Sequence, residues 1–289
     1  MAALGIDAGI SKSEVSRICM EMDDELEAFR SRSLADTAYP YVYLDATYVK
    51  GRVGNRVVSR AVVVAMGVTA DGTQEILGIE VGDSEDKVFW TEFIQGLSAR
   101  GLSGVELVIS KCHLGLKAAI AEVLVGAAWQ RCRVHFKRNV LAKVPKIQGP
   151  MVSALISTIF AQPEATTVFA QLEDVATSLD PRLPVIGDML RGAREDLCAF
   201  ADFPRAHWTK LLSNYPLERV NAEIKRRTRV VGIFPNDASV LRLITAVWVE
   251  QHDEWTASDR RYLSSESMAL LKATWPEDET NARSASLMT

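Results

Sequence analysis

Cysteine is scarce in this chain: its 289 residues hold four, Cys19, Cys112, Cys132 and Cys198. No two of them form a Cys-x-x-Cys pair, so the spacing describes no disulfide framework, and a reduced, cytosolic setting is the simple reading. Long apolar runs are missing as well. The longest, at 61–68, is far too short to span a bilayer. The first residues show no basic region followed by an apolar core, which argues against a secretory leader. An excess of positive charge is also lacking: 33 Lys and Arg stand against 37 Asp and Glu, a net charge of −4. No global field therefore attracts a polyanion, and any such contact has to come from local patches. What is present is ordinary globular material. A hydrophobic share of 48% is enough for a real core, and a charged share of 24% argues against disorder. The length fits one or two domains, with no internal repeat or low-complexity tract.

Residues 11–30 have the pattern of a helix, with Ser11 or Ser13 as its cap and Glu14 in the first turn. The run Ser11-Lys12-Ser13-Glu14-Val15-Ser16-Arg17 suits either the second helix of a helix-turn-helix or an ordinary amphipathic surface helix. From Tyr41 the period changes. Residues 41–48 are aromatic and β-branched, and 56–68 and 74–81 continue as strands. The Asp71-Gly72 turn predicts an antiparallel meander. A helix is expected at 86–100, where Phe89, Trp90, Phe93 and Leu97 share a face. A short buried strand at 105–110, a helix at 114–124 and a fifth strand at 127–135 complete a βββαβαβ order. Residues 151–212 read as successive helical stretches broken at Pro163 and around Pro181 and Pro184, and helices carrying Glu218 and spanning about 238–255 follow. From about Pro276 the chain is polar and is expected to be loose.

Asp45 lies among apolar neighbours in the first strand, where a lone carboxylate is costly without a positive partner. A bound Mg²⁺ would compensate that cost, and so would a paired lysine or a turn-capping role. On the helix of 214–229, Leu217, Val220 and Ile224 form an apolar stripe. Glu218, Asn221, Lys225 and Arg229 line the adjoining face, and Glu223 points away. An acid beside the dense run Lys225-Arg226-Arg227-Thr228-Arg229 suits a metal-dependent enzyme that holds a phosphate backbone. It also suits a plain solvated face. A second basic group comprises Arg131, Arg133, Lys137, Arg138, Lys143 and Lys146. The two groups make candidate walls of a phosphate-binding groove. Cys132-Arg133-Val134-His135 is a Cys-x-x-His element. Its spacing alone favours a buried thiol and a hydrogen-bonded histidine over a zinc site, since the only other such pair, Cys112-His113, is not at zinc-finger spacing.

Four stretches together carry a resemblance: 40–48, 105–110, 128–136 and 216–228. Through them the chain resembles the Mutator-type transposases of bacterial insertion sequences, almost from end to end. The resemblance implies an α/β fold, a ribonuclease-H-like core with an Asp-Asp-Glu triad and an all-helical insertion before the Glu. It implies that Asp45 and Glu218 are the first and third catalytic acids and metal ligands, with Mg²⁺ or Mn²⁺ as cofactor. Cys132 and His135 match the family's Cys-x-x-His signature. Arg131, Arg133, Lys137, Arg138, Lys225, Arg226, Arg227 and Arg229 become candidate DNA contacts. The expected partners are the element's inverted repeats, target DNA and further copies of the chain, with no membrane, in a nucleoid-associated cytoplasmic setting.

Two departures accompany the match. The place of the second Asp reads Ser110-Lys111-Cys112-His113, so Lys111 stands there, and an ammonium offers donors and no acceptor. Glu106, upstream on the same strand, is a poor substitute in reach. Full members also carry a longer N-terminal region, of which 1–35 resembles only the end, a helix-turn-helix remnant. The expected organisation is therefore a core of 36–146 and 213–260, an insertion of 147–212 and a tail of 261–289. The expected activity is transposition, impaired by Lys111. The alternative is a non-catalytic DNA-binding or regulatory remnant acting with full-length transposase.

Overall fold

The computed structural model describes residues 11–258 and 261–274. Its centre is a mixed five-stranded sheet in the order β3-β2-β1-β4-β5. β1 (Tyr41–Val53), β2 (Arg56–Val68) and β3 (Gln74–Gly82) form an antiparallel meander. β4 (Leu107–Ser110) and β5 (Ala128–Arg131) join β1 in parallel. Alternation along β1 sorts its side chains onto two faces. Val42 and Leu44 enter a core with Trp90, Phe93, Ile94 and Leu97 of α2 (Lys87–Ala99) and Leu116 and Ile120 of α3 (Leu114–Val123). Tyr41 and Tyr43 enter the larger core on the opposite face. Helices thus cover both faces of the sheet, as parallel strands require.

The larger core is built from the helices that follow β5. These are α4 (Arg133–Leu141), α5 (Gly149–Ile159), α6 (Ala165–Leu179), α7 (Pro184–Gly192), α8 (Arg194–Cys198) and α9 (Trp208–Leu211). After them come α10 (Tyr215–Val231), α11 (Asp237–Thr256) and α12 (Ser265–Thr274). Phe136, Ile156, Leu172, Phe200, Trp208 and Trp248 share one apolar cluster with Tyr41 and Tyr43. Two tyrosine hydroxyls tie the helical block to β1. That of Tyr41 lies 2.6 Å from His207 Nδ1, and that of Tyr43 donates to the Lys210 carbonyl at 3.2 Å. The expected insertion at 147–212 is helical, and it shares its core with the sheet.

The structure differs from the sequence expectations in three places. The first strand continues past residue 48 to Val53, because Gly54, with φ of 58°, closes a tight turn onto Arg56. The fifth strand stops at Arg131 rather than 135. β4 has only four residues to pair with it, and beyond Ser110↔Arg131 the chain turns into α4. Cys132 and His135 therefore sit at a helix start, not on a strand. Finally, the expected tail of 261–289 is docked over its first part. Leu263, Met268 and Leu271 are buried, and the backbone N–H groups of Tyr262 and Leu263 donate to the Gly72 carbonyl at 3.0 and 3.1 Å. A Cβ at Gly72 would come within 2.0 Å of the Leu263 carbonyl oxygen, so the β2–β3 turn needs glycine for this approach as well as for its φ of 92°. The loose stretch expected from Pro276 lies outside the described residues.

The proposed helix at 11–30 is α1 (Lys12–Ser31), capped by Ser11. It packs on α11 and β3, with the Arg242 guanidinium clasping Asp23. The first ten residues of the expected 1–35 unit lie outside the described residues.

Two stability tests follow from this packing. Leu263→Ala should cost about 2–4 kcal/mol in urea unfolding, as for other buried leucines; an unchanged midpoint would mean that the segment is not docked in solution. Acid should also destabilise the fold. Burial holds His207 and His252 below the ordinary imidazole value, and Arg32 adds to the effect at His252. Near pH ~6.5 the unfolded chain takes up protons that the folded chain refuses. The contribution of these residues is whole above that pH and is lost as pH falls through it toward the folded values. The melting temperature should drop between about pH 7.5 and pH 5.5, and a flat profile would contradict the assignment.

Candidate active-site cavity

One rung of the parallel sheet aligns the site. Leu44 pairs with Ser110, and Ser110 with Arg131. The next residue on each strand is Asp45, Lys111 and Cys132. β4 and β5 end here while β1 runs on, so three residues of different chemistry stand side by side at the carboxyl ends of the parallel strands. That is where open α/β sheets place their ligand crevices. Asp45 follows Tyr41 and Tyr43 in the alternation and so faces the helical layer that includes α10.

α10 supplies the facing wall. Leu217, Val220 and Ile224 are buried, and Gly232 ends the helix with φ of 75°. Two asparagines one heptad apart fasten it to β1. Asn214 Nδ2 donates to the Leu44 carbonyl at 2.9 Å, and Asn221 Nδ2 donates to Asp45 Oδ2 at 2.8 Å. With α10 held in this way, Glu218, Asn221 and Lys225 line a cavity of about 260 Å³ together with Asp45, Thr47, Lys111, His135 and Arg138.

Lys111 is embedded in this site. Its Nζ donates to the Ala46 carbonyl at 2.8 Å and stands 3.4 Å from Asp45 Oδ1 and 3.6 Å from Glu85 Oε1. Asp45 and Glu85 are only 6% and 8% exposed, so the ammonium neutralises two desolvated carboxylates. Glu85 has no sequence signature. It sits in the loop Asp83-Ser84-Glu85-Asp86 between β3 and α2, where an acid ordinarily reads as a solvated loop residue. Asn214 also escaped the sequence reading, because a buried amide is recognisable only from what it meets.

The Cys-x-x-His element closes the other side. Cys132 stands at the N-cap position of α4 without a side-chain capping bond, and His135 follows in the first turn. His135 Nδ1 lies 3.3 Å from Cys132 Sγ and 3.7 Å from Glu218 Oε1. Glu218 Oε1 is shielded from solvent and has no hydrogen-bond partner among the described residues. Burial holds His135 below the usual imidazole range, against the pull of Asp45 and Glu218. Burial also pushes the Cys132 thiol up, opposed by nearby backbone N–H groups of His135, Asn214 and Val134. Cys112 and His113, disfavoured by their spacing as partners of this element, take other roles: His113 caps α3, its Nδ1 accepting from the Leu116 N–H at 3.4 Å, and Cys112 is exposed.

The expected basic walls are split by the fold. Arg138 of α4 and Lys225 of α10 both line the cavity. Arg133 and Lys137, with Arg138, line a neighbouring cavity of about 500 Å³ beside α5. Arg229 lies further along α10 with Tyr48 and Lys50. Arg226 is paired with Glu223, and Arg227 with both Glu223 and Glu250, on the side of α10 that faces α11. The Arg131 guanidinium stacks 4.8 Å above the Phe136 ring.

Comparison with known proteins comes down on one family. Residues 1–258 match the family described as Transposase, Mutator family. The chain is 46% identical over 274 residues to the transposase for insertion sequence element IS1081 of Mycobacterium tuberculosis, covering 95% of this chain and 66% of that protein. It is 40% identical over 253 residues to the transposase for IS406 of Burkholderia multivorans, covering 87% and 65%. It is 35% identical over 257 residues to the transposase for IS256 in transposon Tn4001 of Staphylococcus aureus, covering 88% and 66%. The chain thus spans just under two thirds of the length of these relatives. Among the described residues no helix is long and apolar enough to cross a membrane.

Lys111→Ala leaves Asp45 and Glu85 buried without their cation. It should destabilise the chain by about 2–4 kcal/mol, near the lower part of the range for broken buried pairs because Lys111 is partly solvated. Denaturant titration at neutral pH measures this, and an unaltered midpoint would remove the ammonium from the network.

Proposed function

Because the chain belongs to the Mutator family of transposases, we propose that it acts on the DNA ends of an insertion sequence through a ribonuclease-H-like core. In this reading Asp45 and Glu218 are two of the three acids, and Lys111 holds the position of the remaining one. The convergence of Asp45, Lys111 and Glu218 on one cavity supports it. So does the strand order β3-β2-β1-β4-β5, with helical residues inserted between β5 and α10. The core comprises 36–146 and 213–260, and 147–212 is the insertion. Arg138 and Lys225, contributed to the cavity by different helices, hold a phosphate backbone there, with Arg133, Lys137 and Arg229 extending the contact.

The donor set does not fit a pair of hard divalent ions such as Mg²⁺ or Mn²⁺. Two-metal phosphoryl transfer needs anionic oxygens that bridge both ions. Here Asp45 Oδ2 is taken by Asn221, and Asp45 Oδ1 faces an ammonium at 3.4 Å. Like unit charges repel by roughly 4 kcal/mol at 4 Å and an effective dielectric near 20, and a divalent ion doubles that. No metal-dependent step is therefore assigned to these residues. The role left to the chain is to grip and orient DNA through Arg138 and Lys225, with strand cleavage weak or absent. The same ammonium favours a second reading, in which the chain binds element ends without cutting and works in a multimer beside an intact transposase.

Lys111→Asp separates these roles. It places a carboxylate beside Asp45 and Glu85, so its melting temperature should fall without metal and recover by several degrees with Mn²⁺ or Mg²⁺, while that of the unaltered chain stays fixed. Metal-dependent nicking of inverted-repeat DNA should appear or rise at least tenfold. Nicking by the unaltered chain at the rate of the variant would overturn the assignment to Lys111. For DNA binding, Lys225→Ala and Arg138→Ala should each lower the slope of log affinity against log salt by about 1. Unchanged slopes would remove these two residues from the DNA contact.

A further inference from the structure

We propose that Cys132, His135 and Glu218 form a binding site for a zinc-class transition ion, different in chemistry from the hard-metal role that the family reading gives the acids. The first ground is distance. Zinc bonds to thiolate, imidazole and carboxylate are about 2.0–2.3 Å long, so tetrahedral ligands lie roughly 3.3–3.7 Å from one another. Cys132 Sγ to His135 Nδ1 is 3.3 Å, and His135 Nδ1 to Glu218 Oε1 is 3.7 Å. All three ligand atoms lie within 4.8 Å of one another.

The second ground is hydrogen-bond capacity. His135 Nδ1 faces both the Cys132 sulfur and the Glu218 oxygen, yet a ring nitrogen offers either one lone pair or one N–H. It can serve the thiol or the carboxylate, not both, and Glu218 Oε1 is left shielded without a donor. One cation satisfies all three atoms together. The ligand set decides its class: a thiolate with an imidazole selects zinc or a similar soft-to-borderline ion over Mg²⁺.

The three ligands come from a helix start and a facing helix. Cys132 stands at the N-cap position of α4, His135 follows in its first turn, and Glu218 is in the first turn of α10. An ion here ties the end of β5 to α10 across the helical insertion. His135 and Glu218 also line the cavity of Asp45 and Lys111, so the fourth position of the ion faces that space and is open to water or a phosphate oxygen. Bound this way, the ion engages the Glu218 oxygen that the family reading assigns to a hard metal.

The test uses the whole chain without DNA, so it is independent of any nicking result. After dialysis against Zn²⁺ and removal of excess, elemental analysis should find one zinc per chain. Competition with a chromophoric chelator should show Cys132→Ser and Glu218→Gln each weakening binding by at least about tenfold, with Cys112→Ser unchanged. Co²⁺ in place of zinc should give a thiolate-to-metal absorption band that Cys132→Ser abolishes. Glu218→Gln is a partly exposed, isosteric change and remains readable should the buried Cys132→Ser fail to fold. Substoichiometric zinc, or Glu218→Gln binding as tightly as the unaltered chain, would overturn the site.

Discussion

Everything in the site descends from the pairing of three parallel strands at a single rung, Leu44–Ser110–Arg131. Strand pairing fixes register to the residue, because a slip of one would turn every side chain to the opposite face. Here a slip on β1 would turn Asp45 toward Trp90 and Leu116, where a carboxylate has no partner. The correct register instead puts Asp45, Lys111 and Cys132 one step beyond the last shared rung, at a sheet edge that α10 can cover. The brevity of β4 and β5 matters as much as their alignment. It frees the backbone after Ser110 and Arg131 to turn, one into the approach to α3 and the other into α4.

Covering that edge with a helix imposes a polar requirement that asparagine meets. Asn214 and Asn221 reach the backbone of Leu44 and the side chain of Asp45, and between them Glu218 is turned toward the cavity. The stripe of Leu217, Val220 and Ile224 drives burial, which is non-directional. The two amides choose the rotation at which that burial occurs. The charge balance is local in the same way. A chain with a net charge of −4 concentrates Lys111, Arg138 and Lys225 around two acids, while Arg226 and Arg227 are spent on Glu223 and Glu250.

Membership of a transposase family and the chemistry at the cavity pull in different directions, and Lys111 is where they part. Under the proposed reading, a site built for two metals would carry negative charge at the position of Lys111. Here Lys111 contributes a positive charge that Asp45 and Glu85 already neutralise. The result is an ion-paired network of Lys111, Asp45 and Glu85 on one side of the cavity, and Glu218, with Oε1 lacking a hydrogen bond, beside a thiol and an imidazole on the other. The cavity therefore offers hard and soft ligands in different places, and the identity of one residue separates them.

The order of strands and helices, the helical block and the family were legible in the sequence, because hydrophobic period and long motifs are local properties of the chain. Asp45 stood out for the same reason: an acid inside an apolar strand is costly wherever the strand ends up. The end of β5 was not legible, since a strand stops where its neighbour does, and β4 lies about twenty residues away in the sequence. The docking of 261–274 was hidden too, because Leu263 needs the glycine turn at Gly72 to receive it. Nor did the sequence reveal Glu85 beside Lys111, Glu218 beside His135, or the pairing that takes Arg226 and Arg227 out of the basic strip. Charges and ligands act through distance, and distances between residues remote in sequence exist only once the sheet register and the seating of α10 have been set.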